Sequence, residues 1–430
     1  MDVDLTGLVV GAHMSTPVRF IHAADLHLDA PFGGVDASDP RVRDALGAST
    51  YKALDAIVDA CLEHAVDFLV VAGDVYNHRE RGVRSQLAFA RAASRLNGAG
   101  IPVYVVHGNH DPASGWSAGI ALPENVHVFD ADGVERLTFE RDGEVVCALY
   151  GRSFKTAAER ENFAREYERD ASDPIAIGVL HGNVGGRPEY DDYAPCSLAD
   201  LRAARMDYWA LGHIHKPEVI SEDPYAVYAG CPQGLDPTQS GPRGCWLATV
   251  GPGTATAQFL PVASIVWDVT QVDVTEAATL DDVRATLMSA VDNARDGAGT
   301  TPVVLRADLL GRTEAHGALS APGALDALVE DVRSEALLSD QWVWLDRVRD
   351  RTGQVLDLDA LRATEDFGGD VVRLADHLLA DEAAAAAFVA GVVDPLMERV
   401  RDAAPAPDAA DVIARARDLV LDRLFGEAAR

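Results

Sequence analysis

Nine polar residues sit in five short motifs, each closing an apolar run: Asp25 and His27 in DLH, Asp74 in GD, Asn109, His110 and Asp111 in GNHD, His181 in LHG, and His213 and His215 in GHIH. Seven of them (Asp25, His27, Asp74, Asn109, His181, His213 and His215) offer three carboxylate or amide oxygens and four imidazoles. That mixture suits a pair of divalent ions of the Mn²⁺, Fe²⁺ or Zn²⁺ kind. Ca²⁺ takes oxygen ligands, and a structural zinc prefers thiolate. A carboxylate shared between the ions, most naturally Asp74, would hold them about 3.5–4 Å apart, a spacing that binds a phosphoryl group and activates water. Chance is a poor explanation. GHxH arises in about one chain in a hundred of this length and GNHD in roughly one in a thousand.

Such residues need elements that bring them together. The five runs are VRFIHAADLH (18–27), DFLVVAGDVY (67–76), VYVVHGNHDP (103–112), the stretch from Ile175 to His181, and DYWALGHIHK (207–216). Near-continuous apolar runs suit strands covered on both faces. Between the first two lies a helical stripe of Leu54, Ile57, Val58, Cys61, Leu62 and Ala65, and a second helix is expected over 84–97. This βαβ alternation predicts an α/β domain with the polar residues converging where strands end.

Residues 1–17 read as an N-terminal extension and 18–264 as the α/β domain that carries all five motifs. Residues 265–321 read as a small α+β unit with strands at WDVTQVDV and PVVLRADL around a helix at 279–294. The stretch 322–402 reads as helical. At 403–430 the APAPDAAD linker leads into an amphipathic helix carrying Val412, Ile413, Ala416, Leu419, Val420 and Leu424. A helix that short is marginal alone. It packs either on the chain's own helices, around Leu374, Leu378, Val389 and Val393, or on a partner.

The chain has 430 residues, 48% of them hydrophobic, enough for a core in more than one domain. A net charge of −31 argues against a general nucleic-acid coat but leaves room for a local cationic patch. The loop after GDVY supplies one in Arg79, Arg81 and Arg84, beside His78. It is either a solvated rim or a contact for phosphate; Arg187 and Lys216 have the same status. His22, His64 and His107 are expected to be packed or exposed, not ligands. Five scattered cysteines without a CxxC pair suit reduced thiols in a cytoplasm. No apolar run reaches the roughly 20 residues that span a bilayer.

The motif order DxH, GD, GNHD, H, GHxH resembles the calcineurin-like metallophosphoesterases. FIHAADLHLDAPF, with VYAGCPQGLD downstream, narrows the resemblance to the SbcD-like DNA repair nucleases, closest to the bacterial YhaO-type proteins. It covers 19–236 well, the small unit more loosely, and the helical tail only in kind. The resemblance implies a two-sheet sandwich flanked by helices, with a small α+β capping domain and a helical C-terminal region. It implies Asp25, His27, Asp74 and His215 on one ion, and Asp74, Asn109, His181 and His213 on the other. His110 would contact substrate phosphate and help the leaving group depart, with Asp111 supporting it. The expected cofactors are two divalent ions, Mn²⁺ first. The expected activity is hydrolysis of DNA as the nuclease subunit of an SbcC-like coiled-coil ATPase complex, with a homodimer also open. The rivals are a metallophosphoesterase for nucleotides or phosphoproteins, which usually lacks the elements after 264, and a non-catalytic scaffold, against which the complete ligand set argues.

Overall fold

The computed structural model describes residues 16–35, 37–77, 82–116, 118–397 and 408–425. The chain divides at Trp267 into two compact units. In the first, one six-stranded sheet runs in the order β12-β11-β1-β2-β3-β4. Its strands are β1 (Val18–Ala23), β2 (Phe68–Ala72), β3 (Val103–Val106), β4 (Val126–Val128), β11 (Gly244–Gly251) and β12 (Thr254–Pro261). The other sheet runs β5-β6-β7-β8-β10-β9. It is built from β5 (Glu135–Arg141), β6 (Glu144–Gly151), β7 (Ala176–His181), β8 (Tyr208–Gly212), β9 (Glu218–Glu222) and β10 (Tyr225–Tyr228).

Alternate residues explain why the strands read as unbroken apolar runs. Phe20, Phe68, Val70 and Tyr104 face the second sheet, meeting Leu149, Ile177, Val179 and Tyr208 in one core. Ile21, Leu69, Val71 and Val105 face the other way, toward α1 (Pro40–Glu63) and α2 (Val83–Gly98). Both faces are therefore dry, and polar alternation has no place in such strands. Phe20 stacks on Phe68 with ring centroids 4.9 Å apart and meets Tyr208 edge-on at 5.3 Å. His22 is buried and bonds the Tyr208 hydroxyl across the sandwich at 3.0 Å, a packed residue as expected. On the outer face of the second sheet, Leu201 of α3 (Leu198–Ala203) packs with Trp209, Phe154 and Tyr167.

The helical stripe needs two corrections. Leu62 is exposed, and Ala65 lies beyond the end of α1 in a left-handed conformation. Helix α1 also begins earlier than that stripe, at Pro40 in its first turn, where Asp39 caps the Arg41 and Val42 N–H groups.

The second unit is built on the sheet β13-β14-β15, with β13 (Val266–Asp273), β14 (Val303–Arg312) and β15 (Val343–Gly353). Helices α4 (Leu280–Gly297) and α6 (Ala324–Ala336) cover one face through Val283, Leu287, Val291 and Val332; α5 (His316–Leu319) lies between β14 and α6 in sequence. The segment from 322, read as helical, thus contains an eleven-residue strand, β15, paired in parallel with β14. Helices α7 (Leu358–Arg362), α8 (Phe367–Leu379), α9 (Glu382–Met397) and α10 (Ala409–Phe425) follow.

The last helix packs in cis. Its Ile413 is buried with Ala375 of α8 and with Ala385 and Val389 of α9. The face differs from the expected stripe, because Leu421 is buried while Leu419 and Leu424 are exposed. Among the described residues no helix is long and apolar enough to cross a membrane. The N-terminal fifteen residues and residues 398–407, which take in the first part of the linker expected over 403–411, lie outside the described residues, and the last residues of that linker already belong to α10.

Candidate metal centre

Strands β1, β2 and β3 are mutually parallel, as are β7 and β8, so their carboxyl ends lie on one side of each sheet. Asp25 and His27 follow β1, Asp74 follows β2, Asn109 to Asp111 follow β3, His181 ends β7, and His213 and His215 follow β8. The chain turns there through strained backbone. Asp25 (φ 51°), His27 (φ 41°), Asp74 (φ 54°) and His213 (φ 91°) all occupy the left-handed region that L-residues enter only when their surroundings force it. The glycines preceding the ligands serve close approach. A Cβ on Gly212 would strike the Ala72 carbonyl and the His181 ring, and one on Gly73 the same ring.

Two donor groups result. His27 Nε2 and His215 Nε2 stand 3.1 Å apart, with Asp25 Oδ1 3.8 Å from the latter. His181 Nε2 is 3.0 Å from Asn109 Oδ1. Asp74 Oδ2 joins both groups, at 4.0 Å from His27 Nε2 and 3.4 Å from His181 Nε2. Donors bound at right angles to one ion at about 2.1 Å lie about 3.0 Å apart, so these spacings fit two ion positions with one oxygen between them. His213 presents a different edge. Its Nε2 bonds the Asp191 carbonyl at 2.8 Å, which leaves Nδ1 as the free donor. His181 is aligned in the same manner by its Nδ1 on the Ala72 carbonyl, also at 2.8 Å.

The electrostatics match a site built for cations. Burial pushes the Asp25 carboxyl up to about 7, opposed by His181 and reinforced by Asp74. Burial acts on Asp74 in the same direction, but His181 and then His27 hold it well below the usual carboxylate range. Burial opposes charge on His181 too, yet Asp74 and Asp25 keep its imidazole at about 9. His27 and His213 are held down at about 4, mainly by burial, and His215 lies well below its ordinary value for the same reason.

His110 stands beside the pair. Its N–H donates to Asp74 Oδ1 at 2.9 Å, and its ring meets His27 edge-on at 4.8 Å. Asp111 does not support it as expected. The buried Asp111 carboxylate accepts from the N–H groups of Gly108 (2.9 Å), Val75 (2.8 Å) and Tyr76 (3.3 Å), tying the loops after β2 and β3 together. It lies 3.7 Å from His107 Nδ1. His78, Arg79 and Arg81 lie outside the described residues; Arg84 lies over the Tyr51 ring at 4.5 Å. Arg187 is paired with Glu218 at 2.8 Å.

Sequence reasoning missed two supports. The Gln239 amide nitrogen is 2.8 Å from His215 Nδ1, and its oxygen accepts the Leu235 N–H at 2.8 Å. Arg243 is buried and donates only to carbonyls, those of His215, Gln239 (3.0 Å) and Ser240 (3.1 Å). Neither carries a motif. Their work is done on backbone and ring edges, which a sequence does not mark.

Two sheets meeting at their ligand-bearing ends define a phosphoesterase of the dimetal kind. A calcineurin-like phosphoesterase model matches residues 18–217, and the middle domain of metallophosphoesterase YhaO matches residues 267–353. The chain belongs to the calcineurin-like metallophosphoesterases of the YhaO type, being 35% identical over 358 residues to metallophosphoesterase YhaO of Bacillus subtilis, across 83% of this chain and 86% of that one. It is also 30% identical over 194 residues to the DNA double-strand break repair protein Mre11 of Thermoplasma acidophilum, covering 42% of this chain and 49% of that one. The Mre11 of Halobacterium salinarum is 27% identical over 228 residues, 53% of this chain and 54% of that one. The chain thus spans about half the length of these Mre11 relatives. A calcineurin-like fold binds two divalent metal ions, and the donor spacings above fit that pair.

Proposed function

We propose that the chain is a phosphodiesterase that hydrolyses DNA with two divalent ions, Mn²⁺ first, as the nuclease subunit of an SbcC-like coiled-coil ATPase complex. The observation that carries this reading is the shared Asp74 Oδ2 between two donor groups, with His110 beside it, its backbone N–H on Asp74 Oδ1 and its ring within reach of His27 and Asp74. When bound, the ions supply Lewis acidity toward phosphate and a water ready to attack. The chain's own residues fix the donors, through the Ala72 and Asp191 carbonyls and the Gln239 amide, and place the half-buried His110 imidazole where it can pass a proton to a departing oxygen.

DNA as substrate is supported by the likeness to Mre11, whose name records double-strand break repair. A partner is supported by the helical end of the chain, where Phe367, Leu374, Phe388, Val392 and Leu419 are exposed on α8, α9 and α10. Apolar side chains exposed in such number on short helices suit an apolar counterpart. Hydrolysis of labelled DNA with Mn²⁺, run beside a nitrophenyl phosphodiester and a nucleotide panel, tests the reading. Turnover of nucleotides with DNA left intact would replace the nuclease with the rival phosphoesterase.

A further inference from the structure

A cleft of about 680 Å³ opens beside the metal centre, between the chain that continues from His27 and the first turns of α1 and α2. Asp29, Pro31 and Phe32 form one wall, Arg43 and Leu46 another, and Arg84 the third. Its wall begins at Asp29, two residues along the chain from His27. Leu28 bridges to Tyr76, two residues past Asp74, and the Asp29 N–H donates to Thr50 Oγ1 at 3.3 Å.

Its arginines are not matched by carboxylates. Acidic residues outnumber basic ones 68 to 37, and arginines throughout both units pair with carboxylates, as Arg95, Arg136, Arg165 and Arg284 do. Among the described residues Arg43 and Arg84 have no carboxylate partner. Arg43 donates to the Ser38 carbonyl at 3.2 Å, and Arg84 lies on the Tyr51 ring. One acid, Asp29, also lines the cleft, beside the two arginines. Helices α1 and α2 carry no acid in the first turn, whereas α3, α4 and α6 to α10 each do. The N-terminus of α1 already meets the Asp39 carboxylate, so the α2 dipole and the two guanidinium groups are what act toward an anion.

The remaining wall is apolar, and its aromatic ring is braced. Phe32 stacks on the buried Trp267 at 6.0 Å and 20°. A phosphate alone would need no such wall. Arginines facing a fixed ring suit a nucleotide, with its phosphate on the cations and its base against apolar surface. A base held in a duplex cannot present its face in this way.

We propose that this cleft seats an unpaired nucleotide of the DNA strand next to the scissile phosphate, so that single-stranded ends are preferred over duplex. The inference rests on the nuclease reading above. The test measures binding of a labelled single-stranded oligonucleotide and of its blunt duplex, for wild type, Arg43→Gln/Arg84→Gln and Phe32→Ala, with metal content and thermal melting recorded for each. Wild type should favour the single strand. The double variant should lose about 10-fold in single-strand affinity with a shallower salt dependence, and Phe32→Ala about 10-fold with the salt dependence kept, both retaining two ions. Unchanged single-strand binding in both variants overturns the inference and leaves the nuclease reading standing. Equal losses on single strand and duplex, or loss of metal, also overturn it. A wild-type protein that neither binds nor cuts either DNA removes the nuclease reading and this inference together.

Discussion

His27 and His215 are 188 residues apart in the chain, yet their Nε2 atoms stand 3.1 Å from each other. Burial keeps both rings neutral at pH 7, so one nitrogen must offer a proton to the other unless both turn to a common cation. The Gln239 amide nitrogen beside His215 Nδ1 favours a proton on Nε2. A cation at Nε2 moves that proton to Nδ1, where it needs an acceptor. Gln239 can offer its oxygen only by giving up the Leu235 N–H. A carboxylate accepts both. Gln239→Glu is therefore expected to tighten metal binding and Gln239→Ala to weaken it about 10-fold, a usual loss when the partner of a ligating histidine is removed. Calorimetric titration with Mn²⁺ checks this; equal affinities in all three proteins would refute it.

Asp74→Ala removes the oxygen common to both donor groups and also frees the His110 N–H. Loss of both ions is expected after dialysis, with phosphodiester turnover down by about 10³-fold or more. Elemental analysis that still finds two ions per chain would reject the shared-oxygen arrangement.

His110→Asn should separate turnover from metal. A proton donor of this kind is worth about 10²–10⁴-fold in rate, while both ions should remain bound. An emptied site in this variant would make His110 a ligand instead.

Asp173 offers a test of the scaffold away from the chemistry. Its buried carboxylate accepts from Arg136 Nε at 3.0 Å and from the Tyr150 hydroxyl at 2.5 Å. Asp173→Ala leaves these groups without their acceptor, and a loss of about 3–5 kcal/mol is expected. Denaturant unfolding of the first unit reads it, and a change below about 1 kcal/mol would mean that water replaces the carboxylate.

Deleting residues 408–430 should damage the second unit itself. Ile413 and Leu421 leave the core, Arg312 loses Asp418, and the Gln354 N–H loses Asp422 at 3.1 Å. Each buried aliphatic side chain is worth about 1.5–3 kcal/mol, so a lowered melting transition is expected. An unchanged melt combined with loss of ATPase binding would instead make the helix a pure docking element.

The site was largely legible because chemistry restricts it. Few residue types can ligate, and each had to follow a strand that both sheets keep dry. Element faces were less legible. Leu62 and Leu419 are apolar and correctly spaced, yet solvent takes them, since a stripe does not say how wide the covered face will be. Strand β15 was hidden by its own charges. VWLDRVRDR places Asp346, Arg349 and Arg351 on a surface satisfied by Arg306 and Asp308 of the neighbouring strand, which only the pairing reveals. Gln239 and Asp111 act on backbone and ring edges, and nothing in their local sequence says so.

The left-handed turns at Asp25, His27, Asp74 and His213 have a consequence for how the protein ages under heat. Each holds about 1–2 kcal/mol that an L-residue would release by relaxing, and only the packed sandwich keeps it from doing so. Warming that loosens the strand ends lets these turns relax while the sheets are still paired. Catalytic competence should therefore decay ahead of the global melt, and added Mn²⁺ should close the gap between the two temperatures by clamping the turns from inside.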